Sequence, residues 1–508
     1  MQFLNTPLRS YYASRKKRIE KLRHTPIQNQ AEWFRYLVKN GEDTIFFKQI
    51  GLTKRCSYAD FVKAIPIQNY NSLQPFVERI MKGEEHVLWN SRIKYMAKSS
   101  GTTDTKSKFI PVSKESLFCN NYLSAQDSIT FYCHFFPQNR FFSGKGLVLG
   151  GSFQETPLNT PVKIGDVSAV LLDSMPQFGD FLKASNRKVL LHNNWNEKLS
   201  MLAKTTLHQN ITSLSGVPSW MLLVLKEVLK LSGKEHIKEV WPNLELFFHG
   251  GVAFAPYIEA YKKLIPDPDF FYMNMYNASE GFFGFQDQLH CNDLLLLTDN
   301  GIFYEFIPID EVGTLQGEAI PLQEVSVGQD YALVITTPAG LWRYVIGDTI
   351  RFTSTDPYRF KITGRTMHYI NAFGEELIID NTDKALQKAC EETGAIFVDY
   401  TAAPIFLEHG NMKASHEWVI EFSTLPKDID RFIQILDQTL QSLNSDYEAK
   451  RTNELLLNIP IVHVASEGTF LRWLEKHNRL GGQYKVPRLQ NDRSIMEEFL
   501  ELIETTQF

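Results

Sequence analysis

The chain has 508 residues, 43% of them hydrophobic and 22% charged, with a formal net charge of −5. That length exceeds what one hydrophobic core usually serves, so two or more domains of an ordinary soluble kind are expected. The slightly acidic balance argues against recruitment of nucleic acid by an overall basic field, and no apolar run approaches the ~20 residues of a membrane span.

Aromatic residues make up 13% of the chain, 36 of them Phe, which predicts several buried aromatic clusters. The five cysteines (Cys56, Cys119, Cys133, Cys291, Cys390) never stand in C-x-x-C spacing. Scattered and odd in number, they favour reduced thiols and a cytoplasmic setting over a disulfide framework or a zinc site. No signal-peptide apolar region opens the chain. Arg15-Lys16-Lys17-Arg18 lies in a helical pattern and reads as a solvated helix face, with a transit peptide or a nucleic-acid arm as the alternatives.

In chain order, the spacing of apolar residues predicts helices over 10–23 and 27–40, the second ending at Gly41, and a short helix with its entry over 66–83. A hydroxyl-rich stretch follows, Met96-Ala-Lys-Ser-Ser-Gly-Thr-Thr-Asp-Thr-Lys-Ser-Lys-Phe-Ile-Pro111. A long helical segment then opens near Ser113 as N-cap. From about residue 146, short apolar runs at 147–149, 189–191, 211–214, 244–248 and 270–275 read as buried strands. They alternate with helices over 197–209, 218–232 and 255–264, where Pro218 suits a first helical turn. Such alternation predicts α/β layers with a largely parallel sheet, whose ligands gather at the carboxyl ends of the strands. Strands without helices at 294–297, 302–307, 331–336, 343–346 and 360–363 predict a small antiparallel or barrel-like subdomain. Beyond Gly364 the pattern is helix 381–393, strands 396–401 and 417–422, helix 427–443, strand 459–464 and helix 467–477. That order describes a small α+β domain of its own, with a hinge between Gly364 and Gly374.

Five stretches carry chemistry. Small hydroxyl residues around Gly101 let backbone N–H groups turn inward into an anion-binding nest, and Lys106 and Lys108 add point charge. It is not a Walker loop, because that motif needs a second glycine immediately before the lysine and Lys106 follows Thr105. Phe248-His-Gly-Gly-Val252 places two glycines at a strand end, where a flat ring can approach the backbone. In Tyr276-Asn-Ala-Ser-Glu280, a carboxylate at the lip of a sheet can ligate Mg²⁺ beside phosphates, and the tyrosine can stack on a base. Trp342-Arg-Tyr-Val-Ile-Gly-Asp348 offers a carboxylate for ribose hydroxyls. Gly481-Gly-Gln-Tyr-Lys-Val-Pro-Arg488 describes a loop presenting one cation. Read alone, each of these also fits a plain turn or surface hairpin.

Taken together and in this order, they resemble one family. The chain is similar to the acyl acid–amido synthetases of the Gretchen Hagen type, the auxin-responsive family with bacterial relatives, a branch of the adenylate-forming superfamily. Ser99–Lys108 resembles the family's Ser-Ser-Gly-Thr phosphate loop, and Tyr276–Glu280 its Tyr-x-x-Ser-Glu motif. Tyr344–Asp348 stands where the family has Tyr-Arg-x-Gly-Asp, and Gln483–Arg488 resembles its Gln-Tyr-Lys-x-Pro-Arg. Two departures stand out. Asp104-Thr105 replaces the second small or glycine step of the phosphate loop, and Arg343 precedes Tyr344 instead of following it.

The resemblance implies a large N-terminal adenylate-forming domain over 1–365 and a smaller, mobile C-terminal α+β domain over 366–508. It implies ATP and Mg²⁺, with a small-molecule carboxylic acid and an amino acid or other amine as partners, and neither nucleic acid nor membrane. Ser99, Ser100, Gly101, Thr102, Thr103 and Lys108 would hold the phosphates. His249, Gly250, Gly251, Val252, Tyr276, Asn277 and Ser279 would frame the adenine, with Asp348 at the ribose, Arg365 at the ribose or phosphate side of the nucleotide and Glu280 on Mg²⁺. Lys485 would bridge the carboxylate and the α-phosphate. No covalent protein nucleophile is required. The alternatives are an acyl-CoA ligase sharing the adenylation step, and a non-catalytic nucleotide-binding scaffold. Trp195, Trp220 and Gly216–Ser219 are candidate neighbours of the acyl pocket, with core packing the alternative role for either tryptophan.

Overall fold

The computed structural model describes residues 2–99, 108–154, 160–251, 254, 257–309, 315, 317–365, 369–370, 372–375, 377–406, 414–451, 456–477 and 486–506. By its contacts the chain forms two units, a larger one over 1–99, 108–254 and 258–366 and a smaller one that includes 367–508. Among the described residues no helix is long and apolar enough to cross a membrane.

The helix expected over 10–23 forms as two, Gln2–Ser14 and Lys16–His24, broken at Arg15. Tertiary charge pairing sets that break. Arg15 and Arg18 both bond the buried Asp127 at 2.7 and 3.2 Å, and Arg18 also meets Asp299. The basic run is therefore not the solvated face its composition suggests. Lys16 and Lys17 are exposed, but the two arginines turn inward onto carboxylates. Helix Pro26–Gly41 ends where its glycine predicts, and Tyr70–Met81 is capped by Asn69.

The strands are β1 (Tyr95–Ser99), β2 (Lys108–Val112), β3 (Lys145–Val148), β4 (Lys163–Gly165), β5 (Ile211–Gly216), β6 (Leu246–His249), β7 (Phe271–Ala278), β8 (Gly281–Gln286), β9 (Leu294–Leu296), β10 (Phe303–Pro308), β11 (Ile320–Pro321), β12 (Asp330–Thr336), β13 (Tyr344–Thr355) and β14 (Tyr358–Arg365) in the larger unit. The smaller unit adds β15 (Tyr369–Ile370), β16 (Leu377–Ile378), β17 (Ile396–Ile405), β18 (Ser415–Thr424) and β19 (Ile461–Ala465). Eleven of them make one sheet in the order β11-β10-β12-β13-β14-β9-β8-β7-β6-β5-β3. The expected parallel arrangement holds for β3, β5, β6 and β7. From β7 onward every pair is antiparallel, so the expected helix-free subdomain continues the same sheet. A separate sheet, β2-β1-β4, carries the hydroxyl-rich hairpin.

Between the parallel strands run helices Trp195–Thr206 and Pro218–Ser232, the latter with proline in its first turn and left-handed Gly233 just past its end. One predicted strand is corrected. Val189 and Leu190 belong to a helix, Arg187–Leu190, with Leu191 just past its end, because the Asn186 side chain accepts from the Val189 N–H at 3.1 Å and starts a helical turn. A local cap outweighs an apolar triplet. The expected aromatic clusters are present: Trp342 packs against Phe47 and Trp89, and Phe131 meets Phe285.

In the smaller unit β17, β18 and β19 form a three-stranded sheet with helices Ile379–Thr393 and Ile429–Leu443, in the order the sequence predicts. Ala403, Val419, Trp473 and Phe499 share a buried cluster on which the helix Ser494–Thr506 closes the chain.

Candidate active site

Strands β1 and β2 pair antiparallel, and their last described pair is Ser99 opposite Lys108. Ser100, Gly101, Thr102 and Thr103 lie outside the described residues. The hairpin is tied to the main sheet where Ser279 Oγ donates to the Lys98 carbonyl at 3.4 Å. Lys108 is buried, which keeps its stem inside the fold rather than in solvent.

Ser279 and Glu280 are the two residues of the tight turn between β7 and β8, where Ala278 pairs with Gly281. A two-residue hairpin leaves its tip side chains little freedom, and Glu280 is half-buried there. One step back along β7, Tyr276 is buried with its ring against Phe283 at 4.8 Å, and its hydroxyl donates to the Asp348 carboxylate. This bond brings together two motifs 72 residues apart. Beside them Gly250 ends β6. A Cβ added there would lie 2.4 Å from the Met275 carbonyl and 3.1 Å from Asn277 Oδ1. Only glycine lets these two backbones approach, which explains the first glycine of the pair. Gly251 follows in a left-handed conformation, and Val252 lies outside the described residues.

His249 is buried and stacks on Phe254 at 4.0 Å, and its Nδ1 has no hydrogen-bond partner among the described residues. Burial pushes its imidazole from the ordinary 6.5 down to about 3. The unfolded chain therefore binds a proton below pH 6.5 that the folded chain refuses, and stability falls as pH drops through that window towards 3. His249→Phe is expected to flatten the fall. Urea midpoints at pH 7 and pH 5 check it, and parallel losses in both proteins would contradict the assignment.

Asp348 does not sit at a strand end or in a hairpin turn. Strand β13 runs straight through it to Thr355. Gly347 takes φ +101°, and the pairing with β12 and β14 slips nearby, so the glycine re-aims the strand without ending it. Across β14, Arg365 is its backbone partner; the arginine side chain lies outside the described residues. Arg343, which stands before Tyr344 where the family's arginine stands after it, points into the core. Its guanidinium bonds Glu305 at 3.0 and 3.1 Å and the Ile65 carbonyl at 2.7 Å.

Near the carboxyl end of β3, sequence reasoning missed Lys198. It is buried and donates to the carbonyls of Gly150 and Gly151 at 2.5 and 3.0 Å. Burial pushes its ammonium down to about 8, against the pull of Asp166. A lysine within a helix gives no periodic signal for such a role. Trp195 and Trp220 do meet, edge to face at 4.3 Å. Phe254 and Tyr272, which line the His249 side of the same sheet end, were also unmarked.

Lys485 lies outside the described residues, but its C-terminal neighbours are anchored within the smaller unit. Val486 is buried, the Pro487 carbonyl accepts from Thr401 Oγ1 at 2.8 Å, and Arg488 pairs with Asp383 while lying over the Tyr400 ring.

Among the described residues no group of three or more His, Cys, Asp or Glu could hold a metal ion by itself. One carboxylate at a hairpin tip would suit a Mg²⁺ ion that took its remaining ligands from phosphate oxygens and water, and does not suit an all-protein metal cage.

These features define an α/β protein whose larger unit holds a mixed sheet and a separate three-stranded sheet, and whose smaller unit is α+β. AtGH3.15 acyl acid amido synthetase, solved in complex with 2,4-DB, shares this fold, with a TM-score of 0.61 over 96% of this chain and 95% of that one at 18% identity. Indole-3-acetic acid-amido synthetase GH3.3 of Arabidopsis thaliana is 24% identical over 94% of this chain and 92% of its own length. Jasmonoyl--L-amino acid synthetase JAR4 of Nicotiana attenuata is 22% identical over 90% of each. The chain matches the GH3 family N-terminal domain over 15–270, the central domain over 295–365 and the C-terminal domain over 380–494. It belongs to the GH3 family.

Proposed function

We propose that this protein activates a carboxylic acid with ATP and transfers the acyl group to an amino acid. In the first half-reaction a carboxylate oxygen attacks the α-phosphorus, the bond to the departing pyrophosphate breaks, and an acyl-adenylate forms. In the second, the amine nitrogen attacks the acyl carbonyl, the bond to AMP breaks, and an amide results once the nitrogen sheds a proton. The relatives support this reading, because proteins named for amide synthesis on two different acids align with nearly the whole chain. The observation in the fold that carries it is the Tyr276–Asp348 bond, which unites two of the motifs beside the Ser99–Lys108 hairpin.

Residues 1–365 are read as the unit that binds ATP and acid, and 366–508 as the one bearing the lysine. Positioning and charge neutralisation are the whole task in such a displacement. Ser99 through Thr103 and Lys108 are assigned to the phosphates. The His249–Val252 backbone, Asn277 and Ser279 are assigned to the adenine side, and Asp348 and Arg365 to the ribose. Tyr276 acts here by orienting the Asp348 carboxylate as well as by lining the site. Glu280 is assigned to Mg²⁺, which when bound would neutralise phosphate oxygens. Lys485 supplies the cation between carboxylate and α-phosphate. Five free thiols support a reducing, cytoplasmic setting.

The test is pyrophosphate release from ATP and Mg²⁺ across a panel of carboxylic acids, each with and without mixed amino acids, and with CoA. Acid-dependent release with a new amide mass is the expected result. Release completed only by CoA would reassign the protein as a thioester ligase. ATP binding without release on any acid would overturn the enzymatic reading.

A further inference from the structure

The helix that opens at Ser113 does not run as one regular element. Residues Ser116–Tyr122 widen into a π-helical stretch before Leu123–Phe135 resumes α-helical geometry. Such a widening shifts the side chains beyond it around the helix, and it recurs next to functional sites. Here it turns Asn120, which is 1% exposed, onto strand β8. Asn120 Oδ1 accepts from the Phe282 N–H at 2.7 Å, and its Nδ2 donates to the Phe282 carbonyl at 2.9 Å and the Asn300 carbonyl at 2.8 Å.

This amide stands in for a strand. Strand β9 pairs with β8 only from Gly284 onward, so the Phe282 backbone lies past the end of its neighbour. The β7–β8 pairing slips at the same point: Tyr276 pairs with Gly284 and Asn277 with Phe282, which leaves Phe283 as the extra residue. The ladder is thus weakest two residues after Glu280 and directly opposite Asn277, whose oxygen borders Gly250. Both ladder groups of Phe282 are taken by one buried side chain.

We propose that Asn120 is a positioning residue that sets the Ser279–Glu280 turn for its divalent cation and the phosphates. The inference rests on the reading of Glu280 given under Proposed function. Residues that orient a metal ligand from behind typically change metal affinity or activity by about 10–100-fold when removed. Asn300 provides the matched comparison. Its side chain is also buried and bonded, to Ser124 and Asp127 of the helix Leu123–Phe135 and to Arg18, with no hydrogen bond to β8 among the described residues.

The experiment titrates MgCl₂ against the full-length protein saturated with a non-hydrolysable ATP analogue and reads the rise in melting temperature, alongside Mg²⁺-dependent pyrophosphate release. Asn120→Ala is expected to raise the half-saturating Mg²⁺ about tenfold in both readouts, with the KM for the acid within twofold of wild type. Asn300→Ala is expected to lower the melting temperature while leaving the Mg²⁺ midpoint unchanged. If Asn120→Ala does not fold, Asn120→Asp, which keeps the acceptor and loses both donations, is expected to shift the midpoint in the same direction. An unshifted midpoint in the folded Asn120 variant, or an equal shift in Asn300→Ala, would overturn the proposal. A wild type that shows no Mg²⁺ response would instead overturn the underlying reading of Glu280.

Discussion

Lys485→Ala is expected to slow acid-dependent pyrophosphate release by about 10²–10³-fold, the scale of one preorganised charge-stabilising donor. The reacting partners are both anionic, a carboxylate and an α-phosphoryl group, so the barrier is dominated by charge that one cation can neutralise. The chain around position 485 survives the change, because Val486 is buried and Arg488 is held by Asp383. The loss therefore reads chemistry and not unfolding. Binding of ATP by the variant should remain within a few-fold of wild type, and the deficit should lie in the rate. Lys485→Arg is expected to recover only part of it, since a planar fork does not reproduce a point charge on a flexible stem. A pyrophosphate rate unaltered by the alanine substitution would remove Lys485 from the proposal.

Arg343→Met is expected to destabilise the protein by about 3–5 kcal/mol, the usual result of leaving one buried charge without its partner. Glu305 is 1% exposed and would lose its guanidinium, keeping the Tyr58 hydroxyl at 2.9 Å as its side-chain partner among the described residues. The carbonyls of Val62 and Ile65 would lose a donor as well. Urea unfolding measures the loss directly, and adding Glu305→Gln is expected to restore part of it by removing the stranded charge. At a temperature where the single variant stays folded, its KM for ATP should be unchanged. A loss below 1 kcal/mol, or a selective rise in that KM, would return Arg343 to the nucleotide site.

The contrast between these two cations shows how far local reading reaches. Both stand in or beside family-like motifs, and sequence marks each as a charge near nucleotide chemistry. For Arg343 the displacement to the other side of Tyr344 is visible in the sequence, but its partner Glu305 lies 38 positions away and carries no motif. Arg15 and Arg18 teach the same lesson, since a basic run reads as solvated until Asp127 and Asp299 are folded against it.

Elements with local causes were readable before any coordinates. Helix Pro218–Ser232 starts at its proline and stops at a left-handed glycine, and helix Pro26–Gly41 ends at Gly41. Caps, φ preferences and apolar period act within a few residues, so they survive in one dimension. The exception at 189–191 was also local, an asparagine cap overlooked beside an apolar triplet.

Residue types and their order thus determined the family, the helices and the stretches that carry chemistry. Tertiary structure decided the rest. It placed Asp348 in mid-strand under the Tyr276 hydroxyl, joined a parallel half-sheet to an antiparallel one, and put Asn120 behind the Glu280 turn. The first and the last of these depend on hydrogen bonds between segments 72 and 162 positions apart. Pairing at that distance is chosen by the burial and satisfaction of backbone groups across the whole sheet, which no local pattern encodes.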